Sequence, residues 1–201
     1  MNMKKSYAIL LSLILLSAFL FSVEAASSQK EKPEYYITHA VRAGSYLKAI
    51  KFLNEGLNEY PNHIAIMTLL ADNYAAMGDL DKANSLYDSF ITNSEDDQVK
   101  SLILAHKYKI NGDFSSAIKE VTNLLASLPQ LSKEGRANEL FFRAECYILQ
   151  KDYKNALSDL NASIAIEPWY SKYMKRAEVY KALGKDDLAD KDYNLALVQR
   201  S

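Results

Sequence analysis

From Glu31 onward, small and bulky apolar residues recur among polar ones with a period close to 34. Ala49, Ala83, Ala117, Ala156 and Ala189 form one series, with successive steps of 34, 34, 39 and 33 residues. Twelve positions earlier stand Ile37, Ala71, Ala105, Ala144 and Ala177, and three after those come Ala40, Tyr74, Tyr108, Tyr147 and Tyr180. Leu53, Tyr87, Val121, Leu160 and Tyr193 follow each anchor alanine by four, and Gly56, Phe90, Leu124, Ser163 and Ala196 by seven. Agreement at so many places across five copies marks an array of internal repeats.

Ala71 and Tyr74 are three apart, as are Ala177 and Tyr180, so each pair shares one face of a helix. Ala83, Tyr87 and Phe90 share a face on a second helix. Between the two lies a turn, Met77-Gly78-Asp79, Asn111-Gly112-Asp113 or Leu183-Gly184-Lys185, with Ala43-Gly44-Ser45 in the same role. Glycine ends a helix there because it accepts the left-handed conformation. Lys151 holds that place in the fourth copy, where a side chain costs about 1–2 kcal/mol. Each copy is therefore an antiparallel helix pair, with small residues letting the backbones approach.

The spacing is uneven in three places. Fifteen residues separate Pro129 from Ala144, against ten between Pro61 and Ala71 and nine between Pro168 and Ala177. The extra residues, within Gln130–Arg136, include Ser132 as an N-cap for a longer helix and Gly135, which weakens it. The array is expected to bend near residue 132. Glu95 replaces proline in the second copy, and Ser94-Glu95-Asp96-Asp97 offers capping and acidic groups to the next helix.

This pattern resembles the tetratricopeptide repeat, over nearly all of the chain beyond its first 25 residues. The matching places are the small and bulky residues above, with Pro61, Pro129 and Pro168 closing units. The resemblance implies an all-α, right-handed α-solenoid with repeats at about 30–63, 64–97, 98–131, 132–169 and 170–201. The first copy is less regular, because Ile37 stands for a small residue and Pro33 shortens the opening helix. In this family the first helices of successive units line a groove that receives a peptide or helix. Here that implies Thr68, Asp72, Ala75 and Ala76, then Leu102, His106, Lys109 and Ile110. Phe141, Glu145, Ile148 and Leu149 follow, then Met174, Glu178 and Lys181. The groove is expected to be apolar in its middle with mixed charges around it, although groove and core places adjoin. One subgroup clamps C-terminal carboxylates with cations. Glu34, Thr38, Thr68 and Asp72 stand near its early places and only Lys172, Lys175 and Arg176 match the later ones, so that role is not expected. A second surface, at Ala189, Tyr193, Ala196 and Leu197, is a candidate for self-association.

The N-terminus changes the expected setting. Lys4 and Lys5 precede an apolar run from Ala8 to Phe21 and then Val23-Glu24-Ala25, the layout of a secretory signal peptide over residues 1–25. The run is shorter than the ~20 residues that span a bilayer, which disfavours an uncleaved anchor. Without residues 1–25 the chain carries 22 basic and 24 acidic residues, which gives no electrostatic reason to expect nucleic acid. The single cysteine, Cys146, excludes an intramolecular disulfide and reads as a small hydrophobe on a helix.

No catalytic constellation emerges. His39, His63 and His106 lack metal-ligand spacing, and no phosphate-cradling loop is present. Asp96-Asp97 and Asp186-Asp187 read as helix caps, and the sequon Asn161-Ala162-Ser163 falls inside a helix. No cofactor or metal is implied. The expected function is an exported, non-enzymatic scaffold, periplasmic or secreted, serving as an accessory subunit of a bacterial envelope assembly, secretion or polysaccharide-export system. Its partner would be a protein or peptide, and after signal cleavage no span would hold it in a membrane. The alternatives are a structural homo-oligomer and a solenoid that binds a small ligand or polysaccharide.

Overall fold

The computed structural model describes residues 32–127 and 132–200. The expected signal peptide, residues 1–25, and Pro129 fall outside them. Among the described residues there are ten α-helices and no strand, an all-α fold of the solenoid type. In chain order they are α1 (Pro33–Val41), α2 (Tyr46–Glu59), α3 (Ile64–Ala76), α4 (Leu80–Asn93) and α5 (Asp97–Ile110). Then come α6 (Phe114–Ser127), α7 (Lys133–Leu149), α8 (Tyr153–Ile166), α9 (Tyr170–Ala182) and α10 (Asp186–Arg200). The chain divides into two compact units inside α3, between Ile66 and Met67.

The first unit is built on α1 packed against α2. Pro33 opens α1, where its missing N–H costs nothing, and the helix runs for only 9 residues. Its buried face is Tyr36 and Ala40, with Ile37 only half-buried, so the periodicity is displaced by one place from the expected Ile37. Gly56 explains the change. A Cβ there would lie 2.7 Å from Cγ of Tyr36, so this pair puts its bulk on α1 and leaves room for it on α2. Ser45 caps α2, its hydroxyl accepting from the Lys48 N–H.

The second unit repeats one turn several times. Gly78, Gly112 and Gly184 have φ of 85°, 79° and 69°, and Lys151 adopts φ 62° in the same place. After each, the amide of Asp79, Asp113, Asp152 or Lys185 donates at 2.9 Å to the carbonyl of Tyr74, Tyr108, Tyr147 or Tyr180. That is a Schellman closure, and it brings the next helix back along the first. Asp79, Asp113 and Asp152 then accept from the backbone of Lys82, Ser116 and Asn155, so one residue ends a turn and starts a helix. Asp96 caps α5 through Gln98 and Val99, and Ser132 caps the 17-residue α7 through the Gly135 N–H.

Within this unit α5–α6, α7–α8 and α9–α10 pack as pairs, while α4–α5, α6–α7 and α8–α9 join one pair to the next. Ala105, Ala117, Val121, Phe142 and Cys146 form one core cluster; Ala144, Ala156, Leu160 and Val179 form another. Cys146 is fully buried, and burial pushes its thiol up to about 12, so it packs as an inert hydrophobe.

Two arginine clamps sew the later pairs together. Arg143 on α7 donates to both oxygens of Asp159 on α8, at 2.7 and 2.8 Å, and its third nitrogen reaches Thr122 Oγ1 on α6 at 3.0 Å. Arg176 on α9 repeats this with Asp192 on α10, at 2.7 Å twice, and with Asn161 Oδ1 on α8 at 2.7 Å. Each clamp joins two helices of one pair and the second helix of the pair before. The bidentate geometry is what lets Asp159 and Asp192 be buried at 5% and 3% exposure.

Candidate functional site

The first helices of each pair carry the candidate face, since α3 from Met67, α5 and α7 place equivalent residues side by side. Asp72, His106 and Glu145 each follow a landmark alanine directly, and Lys109 lies one turn beyond His106. The structure brings these four together. Lys109 Nζ donates to Glu145 Oε2 at 2.6 Å and sits 4.8 Å from the centre of the Phe142 ring. His106 lies against the same ring at a 48° tilt, with centroids 4.3 Å apart. Asp72 feels both partners, since Lys109 lowers its pKa and Glu145 raises it.

The electrostatics follow from crowding. Loss of water pulls the Asp72 carboxyl above its ordinary value, against the opposing pull of Lys109. Desolvation and the adjacent Lys109 ammonium take His106 down to about 3, so its imidazole is neutral at physiological pH. The Lys109 ammonium moves upward: its own desolvation opposes this, but Glu145 and Asp72 together outweigh it. Below the cluster, burial and the Asp72 charge hold the Tyr87 phenol strongly in its neutral form. Its hydroxyl faces Asp72 but closes no hydrogen bond of normal geometry, and His106 Nδ1 is likewise buried without a partner.

The apolar middle expected of this groove is half-buried. Phe141 and Ile148 pack against the cluster around Ala144, and Leu102 and Ile110 are half-buried. Phe142, one place on, is the aromatic that meets the charged groups, and periodicity alone does not distinguish the two. Thr68 is half-buried, whereas Ala76, Leu149, Met174, Glu178 and Lys181 are exposed. The later cations are all engaged: Lys172 with Glu167 at 2.8 Å, Lys175 with Glu178 at 2.9 Å, and Arg176 in its clamp.

The C-terminal surface also differs from expectation. Ala189 and Ala196 are buried at 1% and 3% exposure, because α10 packs them toward its own unit, and Tyr193 is half-buried. The open apolar groups on α10 are Leu188, Leu195, Leu197 and Val198. The sequon is consumed as well. Asn161 receives Arg176, and the buried Ser163 hydroxyl donates to the Ala137 carbonyl at 2.6 Å.

The tetratricopeptide repeat family model matches residues 40–105. No curated protein matches the chain. Among solved structures, a tetratricopeptide repeat protein from Parabacteroides merdae aligns at TM-score 0.64 and 19% identity, over 94% of this chain and 73% of that one. A thermophilic TPR protein of Thermus thermophilus aligns at 0.61 and 18%, over 84% and 91%. MamA from Desulfovibrio magneticus aligns at 0.51 and 12%, over 86% and 97%. At such identities the likeness is one of fold. Among the described residues no helix is long and apolar enough to cross a membrane.

Proposed function

We propose that the chain is an exported, non-enzymatic protein-binding scaffold of five tetratricopeptide-type units, acting as an accessory subunit of a bacterial envelope assembly, secretion or polysaccharide-export system. Export is inferred from residues 1–25, and the envelope role from the pairing of a signal peptide with a repeat scaffold. The observation that carries the binding function is the convergence of Asp72, His106, Lys109 and Glu145 from three successive first helices. Structural polar clusters complete their hydrogen bonds internally, and this one does not. The partner is a protein segment lying across α3, α5, α7 and α9.

Photo-crosslinking from native envelopes tests this. A crosslinker at exposed Ala76 or Met174 should capture a discrete partner, while one at exposed Asn123 on α6 should not. Capture from Asn123 alone would sink the assignment. A second reading, self-association through α10, is supported by Leu195, Leu197 and Val198 at 46%, 64% and 73% exposure. A strictly monomeric mass at high concentration in sedimentation would remove it.

A further inference from the structure

The turn between α1 and α2 carries a second kind of surface, built without any residue of the partner-binding face. From Val41 to Lys48 every residue except Ala43 is exposed. Large apolar side chains stand open within it, Val41 at 64%, Tyr46 at 54% and Leu47 at 70%. The only charged side chains in this segment are Arg42 and Lys48, and neither has an ionic partner among the described residues.

The later turns of the same kind are charged differently. Met77 and Leu80 are exposed around Gly78, but Asp79 and Asp81 stand among them. Asp113 follows Gly112, Asp152 follows Lys151, and Asp186 and Asp187 follow Lys185. An anionic surface would be repelled by each of these acids. At the first turn the cap is the uncharged Ser45 hydroxyl, which accepts from the Lys48 N–H and brings no negative charge. The nearest acids are Glu34 on α1 and Glu55 on α2, eight residues before Arg42 and ten after Ser45. At ~1.5 Å of rise per residue they stand about 12 and 15 Å back from the turn, beyond the ~8 Å screening length of physiological salt. Lys51, 4.0 Å from Glu55, offsets that acid further.

Open apolar groups at a tip, cations directly beside them and acids set back match the boundary of a lipid bilayer. Tyrosine suits that depth, because its ring is apolar and its hydroxyl can stay wet. An acidic protein would satisfy the two cations but leave Val41 and Leu47 against polar groups. A second copy docked turn to turn would bring like charges together. We propose that the α1–α2 turn seats on the surface of an anionic bilayer, with Val41, Tyr46 and Leu47 entering the headgroup region and Arg42 and Lys48 pairing with lipid phosphates.

The test uses the chain from Ala26, the form proposed to remain after signal cleavage, which keeps every described helix. It is co-sedimented with vesicles of phosphatidylcholine alone and of phosphatidylcholine mixed equally with phosphatidylglycerol. Binding should be confined to the anionic vesicles and fall as salt rises. Arg42→Gln and Lys48→Gln should each weaken it about fivefold, and Leu47→Gln about tenfold. All three side chains are exposed, so the fold is not at stake. An environment-sensitive dye on Leu47→Cys should shift to the blue on those vesicles, while one on Asn123→Cys should not; the buried Cys146 stays unlabelled. Absent binding, equal binding to both vesicles, binding that ignores all three substitutions, or an unshifted dye at position 47 overturns the proposal. So does a complex with polyglutamate that depends on Arg42 and Lys48 while vesicles are ignored, which would make the turn a dock for an acidic protein.

Discussion

Within the Arg143 clamp each group has a partner: the guanidinium spans Asp159 and Thr122, and the carboxylate is nearly buried because both of its oxygens are held. Around Asp72, four helices earlier, the same types of group stand together and are not closed off. The carboxylate lacks a direct cation, the Tyr87 hydroxyl accepts nothing, and His106 keeps an idle nitrogen. Both clusters lie at joins between consecutive helix pairs, so architecture does not separate them. Their hydrogen-bond accounts do. A buried polar group with all its bonds made fixes geometry, while one with bonds left open costs stability that only an incoming group returns.

The largest effect should come from breaking the closed cluster. Asp159→Ala leaves the Arg143 guanidinium, with 17% of its side chain exposed, facing no carboxylate. Removing one partner of a largely buried pair costs about 3 kcal/mol, read as a lower urea midpoint. The paired change Arg143→Met with Asp159→Leu should recover most of that loss. A cost below about 1 kcal/mol for Asp159→Ala would put the clamp in the class of surface ion pairs and end the contrast.

Glu139 on α7 is a second unfinished group, and it extends the comparison to pH. Its Oε2 is buried without a partner, and burial pushes the carboxyl up to about 7 from an ordinary 4.5. The folded state therefore holds its proton more tightly than the unfolded chain does. Its contribution is most favourable below pH 4.5 and is lost as pH rises through 7. Glu139→Gln removes that slope, so the variant should gain about 2 kcal/mol relative to the parent between pH 5 and pH 8. Parallel stability–pH curves for the two would show that water reaches Glu139 freely.

The turns and caps were legible in the sequence because each depends on one residue's backbone preference. Gly78, Gly112 and Gly184 mark left-handed places, so Lys151 at φ 62° was predictable from the period alone. Lys151→Gly should stabilise by about 1 kcal/mol in thermal unfolding, by relieving a strained β-carbon. Asp72, His106, Lys109 and Glu145 were also within reach, since a repeat register fixes which helix face they share. The clamps were missed, although Arg143 and Arg176 both precede a landmark alanine and both find an aspartate sixteen residues on. A register built on small and bulky residues passes over charged ones that are buried by pairing. Nor does it separate core from groove at Phe141 and Ile148, because one face of a first helix serves both at neighbouring places. In the first pair, the displacement from Ile37 to Tyr36 arises from a missing Cβ at Gly56, a complementarity between two helices that neither shows alone.

The smallest expected effect on stability decides most about the contrast. Asp72→Asn keeps the shape of the side chain while removing a desolvated charge whose raised pKa makes it a liability above the ordinary carboxylate range. If the cluster is open by design, stability at neutral pH should be unchanged or higher by about 0.5 kcal/mol, as is common where function is held at the expense of stability. A closed structural cluster would respond in the opposite way, losing stability on the scale of Asp159→Ala. Denaturant midpoints of Asp72→Asn and Asp159→Ala, measured side by side, therefore compare the clusters directly. Equal losses would mean that Asp72 is already satisfied within the fold and that the site waits for nothing.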